Sequence, residues 1–133
     1  MTRPAPDLLS TFVHLRADGS ATSVPWTPDI WRTLVLADGD RVVGARRGEM
    51  PADFHPDMWE MHPHGDELLC LLSGAIDAVF DEPGGERVMN LRGGQTCIVP
   101  RGVWHRLLLR EPSDLLFVTP AAGTQVRPVI EAR

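Results

Sequence analysis

Hydrophobic residues in this chain occur in short runs in which apolar and polar positions tend to alternate, and turn-forming residues separate the runs. The twelve glycines and twelve prolines are spread along the sequence rather than gathered in one linker. Short strands joined by tight turns produce this pattern, so it predicts an all-β sandwich or barrel. The predicted strands cover residues 12–15, 21–24, 33–36, 41–43, 59–63, 67–73, 75–80, 86–91, 95–99, 104–109 and 114–118, with a further edge strand within 124–130.

Three segments are predicted to have a different structure. Residues 25–31 contain two prolines and can make one helical turn at most. The Asp-Gly pair at 38–39 predicts a tight hairpin between the strands 33–36 and 41–43. Residues 44–57 are the least regular part of the chain, and we expect them to form a loop or a lid.

Size and charge narrow the possible functions. A chain of 133 residues is long enough for one hydrophobic core and too short for two, so we expect a single domain over residues 1–133. Its net charge is −5, and no basic block could follow a phosphate backbone, so nucleic acid is not expected as a partner. No apolar run has the length of a signal peptide or a membrane span, which predicts a cytoplasmic protein without membrane association. Cys70 and Cys97 are expected to be buried free thiols.

The residues with candidate chemistry are concentrated in residues 59–67, a stretch that holds two of the five histidines. Side chains in a strand alternate between its two faces, so Glu60, His62 and His64 share one face. If residues 65–66 form a two-residue hairpin turn, His64 lies directly opposite Glu67 on that face. Three candidate metal ligands, His62, His64 and Glu67, then lie close together on that face.

A second stretch, about forty residues further on, offers another histidine. Residues 100–102 read Pro-Arg-Gly, a turn, and His105 opens the next predicted strand. We interpret the two stretches as one metal site formed by His62, His64, Glu67 and His105. Three imidazoles and one carboxylate suit a divalent transition metal such as Fe(II), Mn(II), Ni(II), Cu(II) or Zn(II), whereas Ca(II) requires more oxygen ligands.

These residues resemble the two sequence motifs of the cupin superfamily. The first motif is a His-x-His pair, then a Glu, then a Gly after six more residues, and here six residues separate Glu67 from Gly74. The second motif combines a Gly, a Pro-x-Gly turn and a His, and its spacings are matched by Gly94, Pro100, Gly102 and His105. The chain is therefore similar to a small single-domain cupin over roughly residues 30–120.

This resemblance implies a particular fold and site. The expected fold is a double-stranded β-helix, a cupin jelly-roll barrel of two antiparallel sheets with one divalent metal ion inside. Residues 1–29 would add N-terminal strands and an arm to the barrel. Small members of the family are often homodimers, so we expect a homodimer. An ion with open coordination positions at the mouth of the barrel implies a small-molecule substrate or ligand.

One ligand stays open, because the chain departs from the first motif. Only two residues separate His64 from Glu67, one fewer than in the motif, whereas four separate His62 from Glu67. The longer spacing fits if Glu60 and His62 replace the two histidines, with His64 at the tip of a turn. Both alignments bring His62, Glu67 and His105 together, and they differ in whether His64 or Glu60 completes the site. Because three imidazoles are the family's usual set, we take His64 as the ligand and Glu60 as a proton acceptor.

The cupin fold supports many activities, so the resemblance alone does not define one. Our first interpretation is a metal-dependent enzyme, dioxygenase-like or isomerase-like, that acts on a small organic molecule. The alternative is a non-catalytic cupin that binds or senses a small metabolite. Five further side chains could line a pocket for an anion, but an exposed arginine is ordinary and we assign them no role. They are Trp26, Trp31, Arg46, Arg47 and Arg101.

Overall fold

The computed structural model describes residues 2–130, which form nine β-strands and one short α-helix. In chain order these elements are β1 (Thr11–Leu15), β2 (Ala21–Pro25), α1 (Ile30–Thr33), β3 (Arg41–Gly48), β4 (Met58–Met61), β5 (Glu67–Glu82), β6 (Gly85–Arg92), β7 (Thr96–Val99), β8 (Trp104–Thr119) and β9 (Gln125–Pro128). Single turns of 3-10 helix occupy Leu8–Ser10 and Pro51–Phe54.

The strands pair antiparallel throughout the described chain. One series of neighbours runs in the order β2-β1-β3-β8-β4-β9, and β5 pairs with β6, β7 and β8. Since β8 pairs with strands of both groups, the two groups wrap around a common interior. This arrangement is a jelly roll, and the all-β class predicted from the sequence is confirmed.

The long strands β5 and β8 were each expected as two separate strands. The predicted strands within 67–80 are parts of β5, and those within 104–118 are parts of β8. What the sequence indicated as a break is a bend, at which the pairing of β5 with β8 shifts register across residues 71–76. Gly74 lies in this bend with a φ of +93°, a backbone conformation that favours glycine. The two strands therefore continue through the bend without ending.

Inward-facing side chains of several strands form the hydrophobic core. Its buried members are Phe12, Ile30, Val42, Phe54, Leu69, Leu71, Ile76, Ala78, Phe80, Leu91, Cys97, Val99, Leu115 and Phe117. Phe12 and Phe117 pack edge to face with ring centroids 5.4 Å apart, and Trp31 of α1 lies 5.2 Å from Phe12. Because this interior is apolar, an imidazole or a charged group inside it is exceptional and needs a specific partner.

The segment before β3 differs from the prediction. Residues 33–36 do not form a strand, because α1 ends there, and the turn at 38–39 leads into β3 without closing a hairpin. The side chain of Asp40 holds this turn. Its carboxylate accepts the backbone N–H of Ala37 at 3.0 Å and that of Ala17 at 3.1 Å. A side-chain acceptor here takes the place of hairpin hydrogen bonds.

The first five residues of the loop or lid expected at residues 44–57 belong to a strand. β3 continues to Gly48, because residues 42–48 pair with β8, and a loop follows only from residue 49. The edge strand expected within 124–130 is confirmed as β9, which pairs with β4 at the end of the sheet.

Two further expectations concern cysteine and the membrane. Cys70 and Cys97 are free thiols, as expected, although Cys97 is buried and Cys70 only partly so. Within residues 2–130, no helix has the length and apolar character that crossing a bilayer requires.

Candidate metal centre

Four side chains with metal-binding chemistry meet where β4, β5 and β8 come together. Glu60 lies in β4, and His62 follows that strand directly. Glu67 begins β5, and His105 is the second residue of β8. Strand pairing places Glu60 directly across from His105. Each of the four residues offers one ligand atom, and these atoms lie within 4.8 Å of one another.

The two imidazoles each contact the carboxylate of Glu67. His62 Nε2 lies 3.3 Å from Glu67 Oε2, and His105 Nε2 lies 3.1 Å from Glu67 Oε1. His62 Nε2 is also 3.2 Å from Glu60 Oε1. The two rings have centroids 5.3 Å apart and planes tilted by 47°. Both Nε2 atoms therefore point toward one small volume bounded by carboxylate oxygens.

Hydrogen bonds from outside the group fix the orientation of three of the four side chains, those of His62, His105 and Glu67. His62 Nδ1 and Thr124 Oγ1 are hydrogen-bonded at 2.8 Å, and His105 Nδ1 donates to the carbonyl oxygen of Val103 at 3.4 Å. The hydroxyl of Thr119 donates to Glu67 Oε2 at 2.5 Å. A partner on Nδ1 turns Nε2 of the same ring toward the cluster, as in metal-binding histidines generally.

The neighbouring histidines keep the central carboxylate, that of Glu67, ionised in spite of its burial. Relative exposure is 2% for His62, 4% for His105 and 6% for Glu67, whereas the Glu60 side chain is 44% exposed. Burial alone would raise the pKa of Glu67, but the hydrogen bond from His105 and the adjacent His62 imidazole lower it to about 2. Burial lowers the pKa of His105, and its hydrogen bond to Glu67 with the nearby carboxylate charges raises it, with a net increase.

One buried atom indicates that the cluster fits a cation. His62 Nε2 is buried and has no hydrogen-bonding partner among residues 2–130, although carboxylate oxygens surround it. A buried polar atom without a partner is costly, and a metal ion would satisfy its lone pair. Two carboxylates would also offset the charge of a dication. The four residues thus form a group that could hold one divalent metal ion.

The structure brings together some of the residues selected from the sequence and excludes one. His62, Glu67 and His105 meet, and Glu60 joins them. His64 lies in the turn after β4 outside this group, with a side chain 40% exposed and Nε2 3.4 Å from Asp38 Oδ1. The expected pairing of His64 with Glu67 across a hairpin is wrong, because β4 pairs with β8 and β9 and not with β5.

A cavity of about 430 Å³ opens beside the four side chains. Its wall is mostly apolar and contains Trp31, Leu36, Arg46, Phe54, His55, Met58, Glu60, Glu67, Leu69, His105, Arg106, Leu107, Leu115, Phe117, Thr119, Ala121, Gly123, Thr124 and Val126. Its volume is in the usual range for a small-molecule site. Arg46 and Trp31 line the cavity, whereas Arg47 is exposed and paired with Glu49.

Sequence reasoning missed the two threonines that support the site. Thr119 is the last residue of β8, and Thr124 lies directly before β9. Threonine is common in and beside strands, so neither residue stands out in the sequence. Neither residue lies near a motif, so a single sequence carries no signal for them. Only the folded chain places Thr124 beside His62.

Comparison with known proteins links this architecture to one fold. No protein-family model and no curated protein matches the chain. Solved structures do match. They include a variant of oxalate decarboxylase from Bacillus subtilis (19% identity, TM-score 0.53, 67% of this chain and 24% of that chain) and a cupin-2 domain protein from Shewanella frigidimarina (18%, TM-score 0.48, 65% and 74%). Hydroquinone 1,2-dioxygenase from Sphingomonas with 4-hydroxybenzoate bound also matches (18%, TM-score 0.45, 58% and 57%). The chain has the cupin fold.

The family resemblance noted in the sequence is thereby confirmed at the level of fold. Gly74 and Gly102, two motif glycines, both have positive φ in this cupin barrel. The chain spans about a quarter of the oxalate decarboxylase chain that it matches. The likeness concerns the barrel, and the chemistry of this chain has to be argued from its own side chains.

Proposed function

We propose that Glu60, His62, Glu67 and His105 hold one divalent transition-metal ion and that this cupin is a metal-dependent enzyme acting on a small organic molecule. The observation that carries the proposal is the buried, unpartnered Nε2 atom of His62, which faces two carboxylates at the wall of a cavity. A dioxygenase-like or isomerase-like reaction fits a cavity of about 430 Å³ with mostly apolar walls.

Each side chain has a defined task in this proposal. A bound dication would supply Lewis-acid polarisation of a substrate oxygen. Thr124 and the Val103 carbonyl keep the two imidazoles turned toward the site. Glu67 stays ionised over the working pH range of most enzymes, because the pKa of its carboxyl is about 2. The apolar wall excludes water from around the bound substrate.

Glu60 is the fourth ligand in this proposal, in place of His64. Its Oε1 atom lies 3.2 Å from His62 Nε2, within the group, whereas His64 lies outside it. The sequence had suggested Glu60 as a proton acceptor, a role that needs a carboxylate free of the ion. Metal binding by a Glu60→Gln variant separates the two roles.

Manganese is the first ion to test, with iron, nickel, copper and zinc as comparisons. Oxalate decarboxylase, which shares the fold, is described with Mn(II) centres. Two carboxylates and two imidazoles also form a donor set with more oxygen than three imidazoles and one carboxylate, which favours Mn(II) or Fe(II) over Cu(II).

The test measures metal directly. We expect stoichiometric transition metal in the purified protein by plasma mass spectrometry, and binding of Mn(II) by calorimetry after removal with EDTA. His105→Ala and Glu60→Gln are expected to weaken Mn(II) binding by at least about tenfold, since each removes a donor atom. His64→Ala is the matched control and is expected to bind Mn(II) as the wild type does.

Two results would change the proposal. If His64→Ala loses the ion and Glu60→Gln keeps it, His64 is the ligand and Glu60 is available as a proton acceptor. If the protein binds no transition metal under any condition, the non-catalytic cupin that binds a small metabolite becomes the better description. The homodimer and the cytoplasmic location stay predictions.

A further inference from the structure

Arg46 is a charged side chain on the inner face of the barrel. Every second residue of β3 faces inward, beginning with Val42, which belongs to the hydrophobic core, and continuing with Gly44. Arg46 occupies the next inward position and pairs in register with Leu115, another core residue. It lines the cavity together with Glu60. A cation at an inward barrel position is exceptional and calls for a partner.

The glycines on both sides of Arg46 allow aromatic rings to pack directly against the backbone of β3. A Cβ atom at Gly44 would lie 2.6 Å from the ring of Phe12, and one at Gly48 would lie 2.9 Å from the ring of Phe54. The wall therefore approaches the backbone of β3 closely at these two positions. Arg46 is the long side chain that reaches inward between them.

Most of the N–H donors of the Arg46 guanidinium have no partner among residues 2–130. Nη2 donates to the carbonyl oxygen of Asp53, and the guanidinium carbon lies 5.5 Å from the centre of the Phe54 ring. Among residues 2–130, no other hydrogen bond and no ion pair within 4.0 Å involves this side chain, although a guanidinium has five N–H donors. A role limited to fixing the loop through Asp53 would need only one of them.

Charge also favours an anion at this position. Burial lowers the pKa of Arg46, whereas the charges of Glu60 and Asp53 raise it, and a guanidinium remains protonated at any ordinary pH. In the proposed metal centre the carboxylates of Glu60 and Glu67 are committed to the ion. The positive charge of Arg46 is then available to a bound ligand.

We propose that Arg46 binds the carboxylate of the substrate, so that the cavity takes a small carboxylic acid with an aromatic or similarly apolar body. The carboxylate fits the fork of the guanidinium, which can donate two parallel hydrogen bonds. Trp31, Phe54 and Phe117 supply the aromatic wall for the body of the molecule. This inference rests on the proposed function for the claim that the cavity binds a substrate.

The experiment compares benzoate with benzamide, an uncharged molecule of the same shape, by calorimetry on the purified full-length protein. The wild type is expected to bind benzoate at least about tenfold more tightly than benzamide. Arg46→Gln is expected to lose about tenfold to a hundredfold in benzoate affinity and little in benzamide affinity. Arg46→Lys keeps the charge without the fork and is expected to lie between wild type and Arg46→Gln.

Arg47→Gln is the matched control. Arg47 is the next residue in the same strand, but it is exposed and paired with Glu49 and Asp114, so its loss should leave benzoate binding unchanged. Equal affinity of the wild type for benzoate and benzamide would overturn the proposal, whatever the stability of the variants. An undiminished affinity of folded Arg46→Gln for benzoate would also overturn it.

Metal content measured on the same samples separates this inference from the proposed function. A full complement of metal without any preference for benzoate rejects the carboxylate site alone. Absence of metal with an Arg46-dependent preference for benzoate rejects the metal centre and supports the carboxylate site.

Discussion

Two threonine hydroxyls orient the buried side chains of the candidate metal centre. Thr119 donates to Glu67 Oε2, and Thr124 is hydrogen-bonded to Nδ1 of His62. In metal sites such outer contacts fix the orientation of the ring and raise the basicity of the ligand. The position of the His62 ring thus depends on a residue just before the edge strand β9.

Replacing Thr124 by valine tests this dependence. Valine keeps the shape of threonine but cannot hydrogen-bond to His62 Nδ1, so we expect the Mn(II) affinity to fall by about 10-fold to 100-fold in a protein that still folds. Calorimetry gives the affinity, and circular dichroism verifies the fold. Thr22→Val, an exposed change in β2, is the control and should bind Mn(II) normally. Wild-type affinity in Thr124→Val would show that the hydroxyl has no influence on the site.

At the scale of single residues, the sequence predicted most of the side chains that meet at the candidate metal centre, but it did not predict which residue completes the group. His62, Glu67 and His105 were selected together because several independent spacings agreed, and the structure brings them together. The choice between Glu60 and His64 depends on which strand lies beside β4, and alternation along one strand carries no information about its neighbour.

At the scale of single elements, the bend in β5 packs closely against β8. Gly74 lies at this bend beside Ser113 of β8, where a Cβ atom would come within 2.2 Å of Ser113 Oγ and 2.4 Å of the Pro112 carbonyl oxygen. Ser113 Oγ accepts the N–H of Ala75 at 3.0 Å. The bend is therefore held by a hydrogen bond and by the close packing of the Gly74 backbone against β8.

We expect Gly74→Ala to destabilise the protein by more than about 2 kcal/mol, because a strained φ and a steric clash add together. Gly94→Ala separates the two effects, since Gly94 has a similar φ of +90° but no heavy atom within 4 Å of the added Cβ. The measurement is the free energy of unfolding in urea. Equal losses in the two variants would mean that the contact with Ser113 costs nothing.

The bend also shows why strands were predicted too short. Gly74 interrupts the apolar alternation of β5, and a glycine within a strand pattern reads equally well as an end or as a bulge. The same limit affected residues 44–48, which are glycine-rich and charged but pair with β8. Pairing with a distant strand overrode the weak local preference.

At the scale of the whole molecule, the candidate metal centre joins two consecutive strands to a third that lies far from them in the sequence. Glu60 belongs to β4, Glu67 to β5 and His105 to β8. An ion held by all of these strands binds the folded barrel and not the unfolded chain. Such binding would therefore stabilise the whole fold by mass action.

We expect saturating Mn(II) to raise the melting temperature above that of the EDTA-treated protein by on the order of 10 °C, since a free concentration of about 100 times Kd contributes about 2.7 kcal/mol. Scanning calorimetry measures both temperatures. His64→Ala should show the full increase and His105→Ala little or none. An increase of the same size in His105→Ala would place the ion elsewhere in the protein.

The fold class was the most predictable property of the molecule. Frequent turns and short alternating runs predicted an all-β sandwich or barrel, and the resemblance to the two cupin motifs implied the jelly roll and which strand ends would meet. The cavity could not be predicted, because its wall combines residues from α1, β3, β5 and β8 whose spacing in the sequence follows no pattern. Arg46 is the clearest case, since an arginine within an irregular segment is ordinarily solvated.

The position of Trp31 gives this protein a built-in optical probe. Of its four tryptophans, Trp31 is the one in the cavity wall, where its ring lies close to Phe12 and Phe117. A molecule that enters the cavity changes the surroundings of this indole and leaves those of the other three largely as they were. Changes in intrinsic fluorescence emission therefore report occupancy of the cavity, and screening of candidate ligands needs neither a label nor a known reaction.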